Sequence, residues 1–181
     1  MHGNDGMSRN VQDGTDNVIN VRPFQAATAE ADTKGIRDLI LPIQNDEFSL
    51  PITWDEQPDL HDIPDFYCRG RGNFWLAEAE GKIIGSISLV ELANDNSALR
   101  KMFVAADWRG KEHSVAASLL TTLTDHARQT GLKNIYLGTT SAFKAAHRFY
   151  EKHGFELVDK SLLPEDFAFM KVDTRFYRLG L

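Results

Sequence analysis

The chain is poor in cysteine: Cys68 is the only one in 181 residues. An intrachain disulfide is therefore excluded, and a cytoplasmic location is the expectation. Long apolar runs are also missing. The cleanest, such as Ile83–Ile84 and Leu119–Leu120, fall far short of the ~20 residues a membrane helix needs, so no membrane association is expected. Basic charge is in deficit, with 20 Lys and Arg against 26 Asp and Glu and a net charge of −6. That balance argues against a nucleic-acid partner, although a local basic patch can still hold a small phosphorylated ligand. The six histidines show no HxxxH or HxH spacing and no CxxC occurs, so no metal is expected. Neither GxxxxGK[ST] nor GxGxxG is present, which removes the P-loop and Rossmann modes of phosphate binding.

What remains is ordinary globular composition, 42% hydrophobic and 25% charged. Met1–Asn17 is rich in Gly, Asn, Asp, Ser and Thr and lacks the apolar stretch of a signal peptide, so it reads as a disordered tail. A single domain is expected over residues 18–181. Val18–Val21 opens a first strand, and Lys34–Leu50 has Ile36, Leu39, Ile40 and Ile43 at helical spacing, with Pro42 as a break or kink. Three prolines make 51–67 loop with short helical turns. Strands Asn73–Ala79, Lys82–Leu92 and Ala98–Val104, joined by Glu80-Gly81 and Asn94–Asn96, predict an antiparallel meander.

Then the apolar period changes. Val115, Ala116, Leu119, Leu120, Leu123 and Ala127 predict an amphipathic helix over Glu112–Thr130, stopped at Gly131. A short buried strand, Asn134–Leu137, follows, then a helix Ala142–His153 ended by Gly154. Phe155–Val158 and Ala168–Leu179 are the expected last strands, the second alternating from Phe167 to Arg175. This order is a mixed α/β (α+β) fold. The strands on either side of the long helix should run parallel and the rest antiparallel.

The turn Trp108–Ser114, between a strand and a long helix, is basic and contains Gly110. Free N–H groups at a helix start hold anions, and a glycine lets a ligand approach the backbone. With Arg109 and Lys111 beside it, the turn suits a pyrophosphate; the same residues also make an ordinary solvated turn.

At these residues the chain resembles the GNAT superfamily of acyl-CoA-dependent N-acetyltransferases. The family motif [RQ]xxGx[GA] matches with Lys111 first, Ser114 at the usual glycine and Ala116 at the last small position, followed by Leu119 and Leu120. An alternative register begins at Arg109-Gly110-Lys111 and puts Glu112 at the glycine. A second run, Phe143 to Phe155, is similar to NxxAxxLYxxxGF: Ala146, Phe149, Tyr150, Gly154 and Phe155 match, and Phe143 replaces the asparagine. The resemblance implies a GNAT fold, with helices on both faces of the sheet and acetyl-CoA wedged between two parallel strands that splay apart. It implies a monomer or homodimer that acetylates a primary amine of a small molecule or amino-acid-like acceptor by direct attack. The alternative is a non-catalytic acyl-CoA-binding sensor or partner-binding module with the same fold.

On that resemblance Met102, Phe103 and Val104 supply backbone groups to the thioester, and residues 109–116, including His113 and Val115, form the pyrophosphate turn. Thr139, Phe143, Ala146 and Phe149 line the pantetheine arm. Tyr150 becomes the acid that protonates the leaving thiolate; on residue chemistry alone it is equally a packed phenol. Glu91 is the first candidate base and Glu47 the second. Lys144, Arg148 and Lys152 form a cationic stripe that either reaches a 3′-phosphate or is simply solvated. Cys68 is expected to be a packed thiol.

Between Arg37 and Arg69 there is no Lys or Arg, and from position 46 to 65 there are seven acidic residues: Asp46, Glu47, Asp55, Glu56, Asp59, Asp62 and Asp65. With Phe48, Trp54, Phe66 and Tyr67 they predict an acidic, aromatic acceptor site for a cationic amine, with Arg175 available for a carboxylate. A solvated acidic loop has the same composition.

Overall fold

The computed structural model describes residues 8–12, 18–110 and 113–181. Two strands, β1 (Arg9–Gln12) and β2 (Val18–Pro23), precede the helix α1 (Ala29–Pro42) and the single turn α2 (Ile63–Phe66). The meander is β3 (Asn73–Ala79), β4 (Lys82–Glu91) and β5 (Asn96–Val104). The chain ends with α3 (Val115–Gln129), β6 (Asn134–Thr139), α4 (Lys144–Lys152), β7 (Glu156–Val158) and β8 (Arg175–Gly180). All eight strands join one sheet in the order β1-β2-β3-β4-β5-β6-β8-β7. Among the described residues β5 and β6 are its one parallel pair, as expected.

The sheet is covered on both sides, and β3 shows why its residues are nearly all buried. Trp75 and Ala77 join Val115, Leu119, Leu123 and Ala127 of α3 in one core. Phe74 and Leu76 join Ile36 and Ile40 of α1 in another. Each of the larger aliphatic and phenylalanine side chains contributes roughly 1.5–3 kcal/mol when buried. Gly85 lets α3 lie close on β4: a Cβ there would stand 3.0 Å from Leu119 Cδ1 and 3.1 Å from Val115 Cγ1.

Three expectations change. Residues 9–12, read as disordered tail, pair antiparallel with β2 from Arg9↔Val21 to Gln12↔Val18. Main-chain bonds carry an edge strand, so its sequence needs little apolar content; Arg9 also pairs with Asp125 of α3 at 2.9 Å. The last strand starts at Arg175, because 168–174 turns back on itself through Met170, whose N–H donates to Asp173 Oδ2 at 3.0 Å. Pro42 does not end helical structure; the chain widens into a π turn over Ile43–Glu47, closed by Phe48 N–H to Ile43 O at 3.1 Å. No helix among the described residues is long and apolar enough to cross a membrane.

Candidate active site

The parallel pair is short. Asn96, Ser97 and Ala98 pair with Asn134, Ile135 and Tyr136, and there the register stops. Beyond it β5 and β6 diverge, and a cavity of about 580 Å³ opens, lined by Leu99, Met102 and Val104 on one side and Leu137 to Thr140 on the other.

A bulge in β5 drives the divergence. Ser86 pairs with Phe103 and Ser88 with Arg100, so Ile87 faces two residues, Lys101 and Met102. Such an insertion bends a strand and raises its twist. Lys101 takes φ +53°, a strained conformation for a residue with a Cβ. Ser86 Oγ donates to the Lys101 carbonyl and Ser88 Oγ to the Arg100 carbonyl, both at 2.7 Å. The Lys101 ammonium is anchored too, donating to Gln57 Oε1 at 2.7 Å and lying 3.6 Å from Asp59. Gln57 pairs its amide with Gln44, and the Tyr67 hydroxyl donates to Asp59. Burial pulls Lys101 down to about 8, against the partial support of Asp59.

The bulge also sorts side chains. Met102 and Val104 pack on the α3 side and Phe103 on the α1 side. After the bulge the backbone is aimed into the wedge. Ala105 N–H donates to Ile84 O at 2.8 Å. Neighbouring residues of an antiparallel ladder point their peptide groups in opposite directions, so the Val104 N–H faces away from β4. Its carbonyl does likewise and accepts from Arg109 Nε at 2.8 Å.

Two residues that flank the start of α3 have left-handed backbone. Gly110 has φ +112° and Ser114, the N-cap of α3, has φ +57°. The left-handed geometry at 114 is the physical reason a glycine serves well there. No acidic residue occupies the first turn of α3. Lys111 and Glu112 lie outside the described residues. Val115 is core, Ala116 lines the cavity, and the His113 ring lies 5.2 Å from that of Trp108. Arg109 grips Glu47 through both terminal nitrogens, and this pairing holds the Glu47 carboxyl below its usual range.

Across the wedge, Thr139, Phe143, Ala146, Phe149 and Tyr150 all line the cavity. His147, whose six-residue spacing from His153 excludes a paired metal site, bonds to the Thr140 carbonyl at 2.9 Å and ties α4 to the end of β6. Phe143 meets Phe48 edge to face at 4.4 Å, closing the cavity between α4 and the π turn. Tyr150 is 6% exposed, burial raises its pKa, and among the described residues its hydroxyl has only the Met102 thioether, at 3.4 Å, as acceptor. It is a protonated donor whose hydroxyl makes only a weak hydrogen bond.

Other expected site residues are not brought to the cavity. Glu91 accepts from the Arg71 N–H at 2.6 Å and from Arg71 Nε at 3.0 Å, fastening the loop before β3. Trp54 stacks on His61 and under Arg37. Arg175 pairs with Glu151 at 3.5 Å beside Tyr177. Cys68 donates to Asn73 Oδ1 at 3.5 Å, and burial pushes its thiol up to about 11.

The acidic character expected of the acceptor side does not appear. None of the seven acidic residues between 46 and 65 lines the cavity, and the one that is buried, Asp59, is consumed by Tyr67 and Lys101. Among the described residues the charged lining is Arg100, Lys101, Arg109 and Lys144, against one carboxylate, Asp173. Asp173 sits over β6 where Gly138 makes room: a Cβ at 138 would fall 2.6 Å from Asp173 Oδ2. Burial raises its pKa, opposed by the Met170 N–H and the charge of Arg100. The sequence places Asp173 with Lys171, Arg175 and Tyr177 on a final strand that borders the acceptor pocket; the structure puts it in that cavity but on the turn before β8, because the alternation from 167 to 175 only resembles a strand. No group of three or more potential metal ligands occurs among the described residues.

A splayed parallel pair, a bulged strand and an anion turn on the intervening helix define an acyl-CoA-dependent transferase fold. The acetyltransferase (GNAT) family model matches residues 37–155, and the chain belongs to that family. An acetyltransferase of the GNAT family from Staphylococcus aureus Mu50 is 35% identical, with a TM-score of 0.82 over 90% of this chain and 98% of that one. An N-acetyltransferase from Thermoplasma acidophilum, solved in complex with coenzyme A, shares the fold at 15% identity, with a TM-score of 0.67 over 90% of this chain and 99% of that one. N-acetylaspartate synthetase of Xenopus tropicalis is 36% identical over 102 residues, 55% of this chain and 37% of the relative. The chain thus spans about a third of that curated relative's length.

Proposed function

We propose that the chain is an N-acetyltransferase that moves an acetyl group from acetyl-CoA to a primary amine by direct attack. The observation that carries this reading is the wedge: one cavity holds both the inward-facing Val104 N–H and the Tyr150 hydroxyl. The turn at Gly110 and the start of α3 receive the pyrophosphate. Thr139, Phe143, Ala146 and Phe149 border the pantetheine arm. The Val104 N–H stabilises the charge that develops on the thioester oxygen when the amine nitrogen bonds to the carbonyl carbon. As the carbon–sulfur bond breaks, Tyr150 donates its proton to the thiolate. Asp173, a carboxylate with raised pKa within the same cavity, accepts the proton that the ammonium must lose.

Saturating acetyl-CoA or CoA is expected to raise the midpoint of thermal unfolding, and ATP to leave it nearly unmoved. At a hundred times its dissociation constant a ligand adds about 2.7 kcal/mol. For a domain of this size that is roughly 5–11 °C. No shift with either CoA species at millimolar concentration sinks the reading.

A further inference from the structure

Resting on the acetyl-transfer reading above, we propose that the acceptor is a free α-amino acid, with Arg100 as the residue that binds its carboxylate and so sets specificity. The cavity's charge leads there. Arg109 is engaged by Glu47, and Lys101 by Gln57 and Asp59. Lys144 lies exposed at the start of α4, on the cofactor side. Arg100 differs from all three. Its half-buried guanidinium lies over the Phe66 ring at 5.5 Å and beside the Met170 thioether at 3.9 Å. Neither contact neutralises it, and no carboxylate stands within 4 Å of it among the described residues. A planar, permanently charged fork in a cavity matches a carboxylate through two parallel hydrogen bonds.

The second half of the argument is Asp173. It lines the same cavity and feels the charge of Arg100 without bonding to it. One anion and one cation in one cavity, not paired with each other, complement a zwitterion whose ammonium and carboxylate share a carbon. Asp173 takes the ammonium and Arg100 the carboxylate, and the nitrogen is left on the side where Val104 and Tyr150 enter. Phe48, Phe103 and Phe167 supply apolar walls for the side chain.

The test compares aspartate, methionine and phenylalanine with their α-carboxamides, which keep amine and side chain and lose only the carboxylate charge. CoA release is measured for the wild-type protein, Arg100→Gln and Arg100→Lys, and the CoA thermal shift serves as the check on folding. The wild type is expected to prefer at least one acid over its amide by about 10²-fold in kcat/KM, since a site built to bond a polar group rejects the analogue lacking it. In Arg100→Gln the ratio should collapse to within about threefold, mostly through KM, and Arg100→Lys should recover part of it. Amides that work as well as acids in the wild type overturn the inference and point to peptide N-termini, with acetyl transfer itself standing. A ratio unchanged in Arg100→Gln assigns the carboxylate elsewhere and also overturns it. Turnover of no amine at all, with the CoA shift intact, overturns the transfer reading and this inference together. If Arg100→Gln does not fold, the wild-type ratio decides, together with calorimetric titration of each acid and amide into the CoA-loaded wild type: equal binding of the two sinks the inference.

Discussion

Tyr150→Phe is expected to lower kcat by about 10²-fold, the low end of what one positioned proton donor contributes, while acetyl-CoA still stabilises the protein. The substitution removes a single oxygen. In the folded protein that oxygen has one partner, the Met102 thioether at 3.4 Å, a weak acceptor. Tyr150 otherwise packs among Phe149, Phe155 and Tyr177, contacts a phenylalanine reproduces. Stability should therefore change by less than about 1 kcal/mol. Burial raises the hydroxyl's pKa, so the donor stays protonated and no alkaline loss of kcat below pH 10 should come from this residue. Steady-state CoA release on the wild type and the variant, with thermal unfolding in parallel, decides it. A kcat within threefold of wild type means that the thiolate takes its proton from water, and Tyr150 is then a packing residue.

The largest effect on stability is expected at Arg22. It sits on β2, 11% exposed in its side chain, and donates to Asp32 of α1 at 2.7 and 3.0 Å and to Glu78 of β3 at 2.7 Å. Asp32 is 3% exposed and also accepts from the Thr28 hydroxyl at 3.0 Å. Together the two carboxylates raise the Arg22 pKa still further. Arg22→Ala leaves Asp32 buried without its cation, which costs about 3–5 kcal/mol. At this size that is a fall of roughly 6–20 °C in the unfolding midpoint. The double substitution Arg22→Met with Asp32→Leu should recover at least half of the loss, because apolar residues of similar volume carry no desolvation penalty. A double variant as unstable as Arg22→Ala alone places the stabilisation in packing and not in charge.

Residues adjacent in the chain made the cofactor half of the site legible. The spacing of Leu119, Leu120 and Leu123 and the turn at Gly110 follow from local backbone preference and helical period, and the structure places Ala116, Phe149 and Tyr150 on one cavity. The acceptor half was not legible. Glu91 was chosen for its place at the end of a strand, but a residue 20 positions earlier, Arg71, claims it. The acidic run from 46 to 65 is real as composition, yet its charges face solvent or are spent on Tyr67, Lys101 and Arg109.

By itself, then, the sequence determined the order of the main elements from β2 to β7, the parallel pair and the glycine-containing turn before the long helix, while the place of Tyr150 came from the family resemblance. Those three depend on contacts within a few residues or on a periodicity that one face of an element imposes. The tertiary structure decided the sign of charge in the acceptor cavity. Lys101 meets Gln57 and Asp59, Arg109 meets Glu47, and Asp173 reaches over Gly138, all across separations of 35 to 62 residues that no local pattern encodes. Charge in a buried site is what remains after such long-range pairs form, and among the described lining residues Arg100 and Asp173 remain unpaired with each other on the acceptor side, with Lys144 exposed at the start of α4.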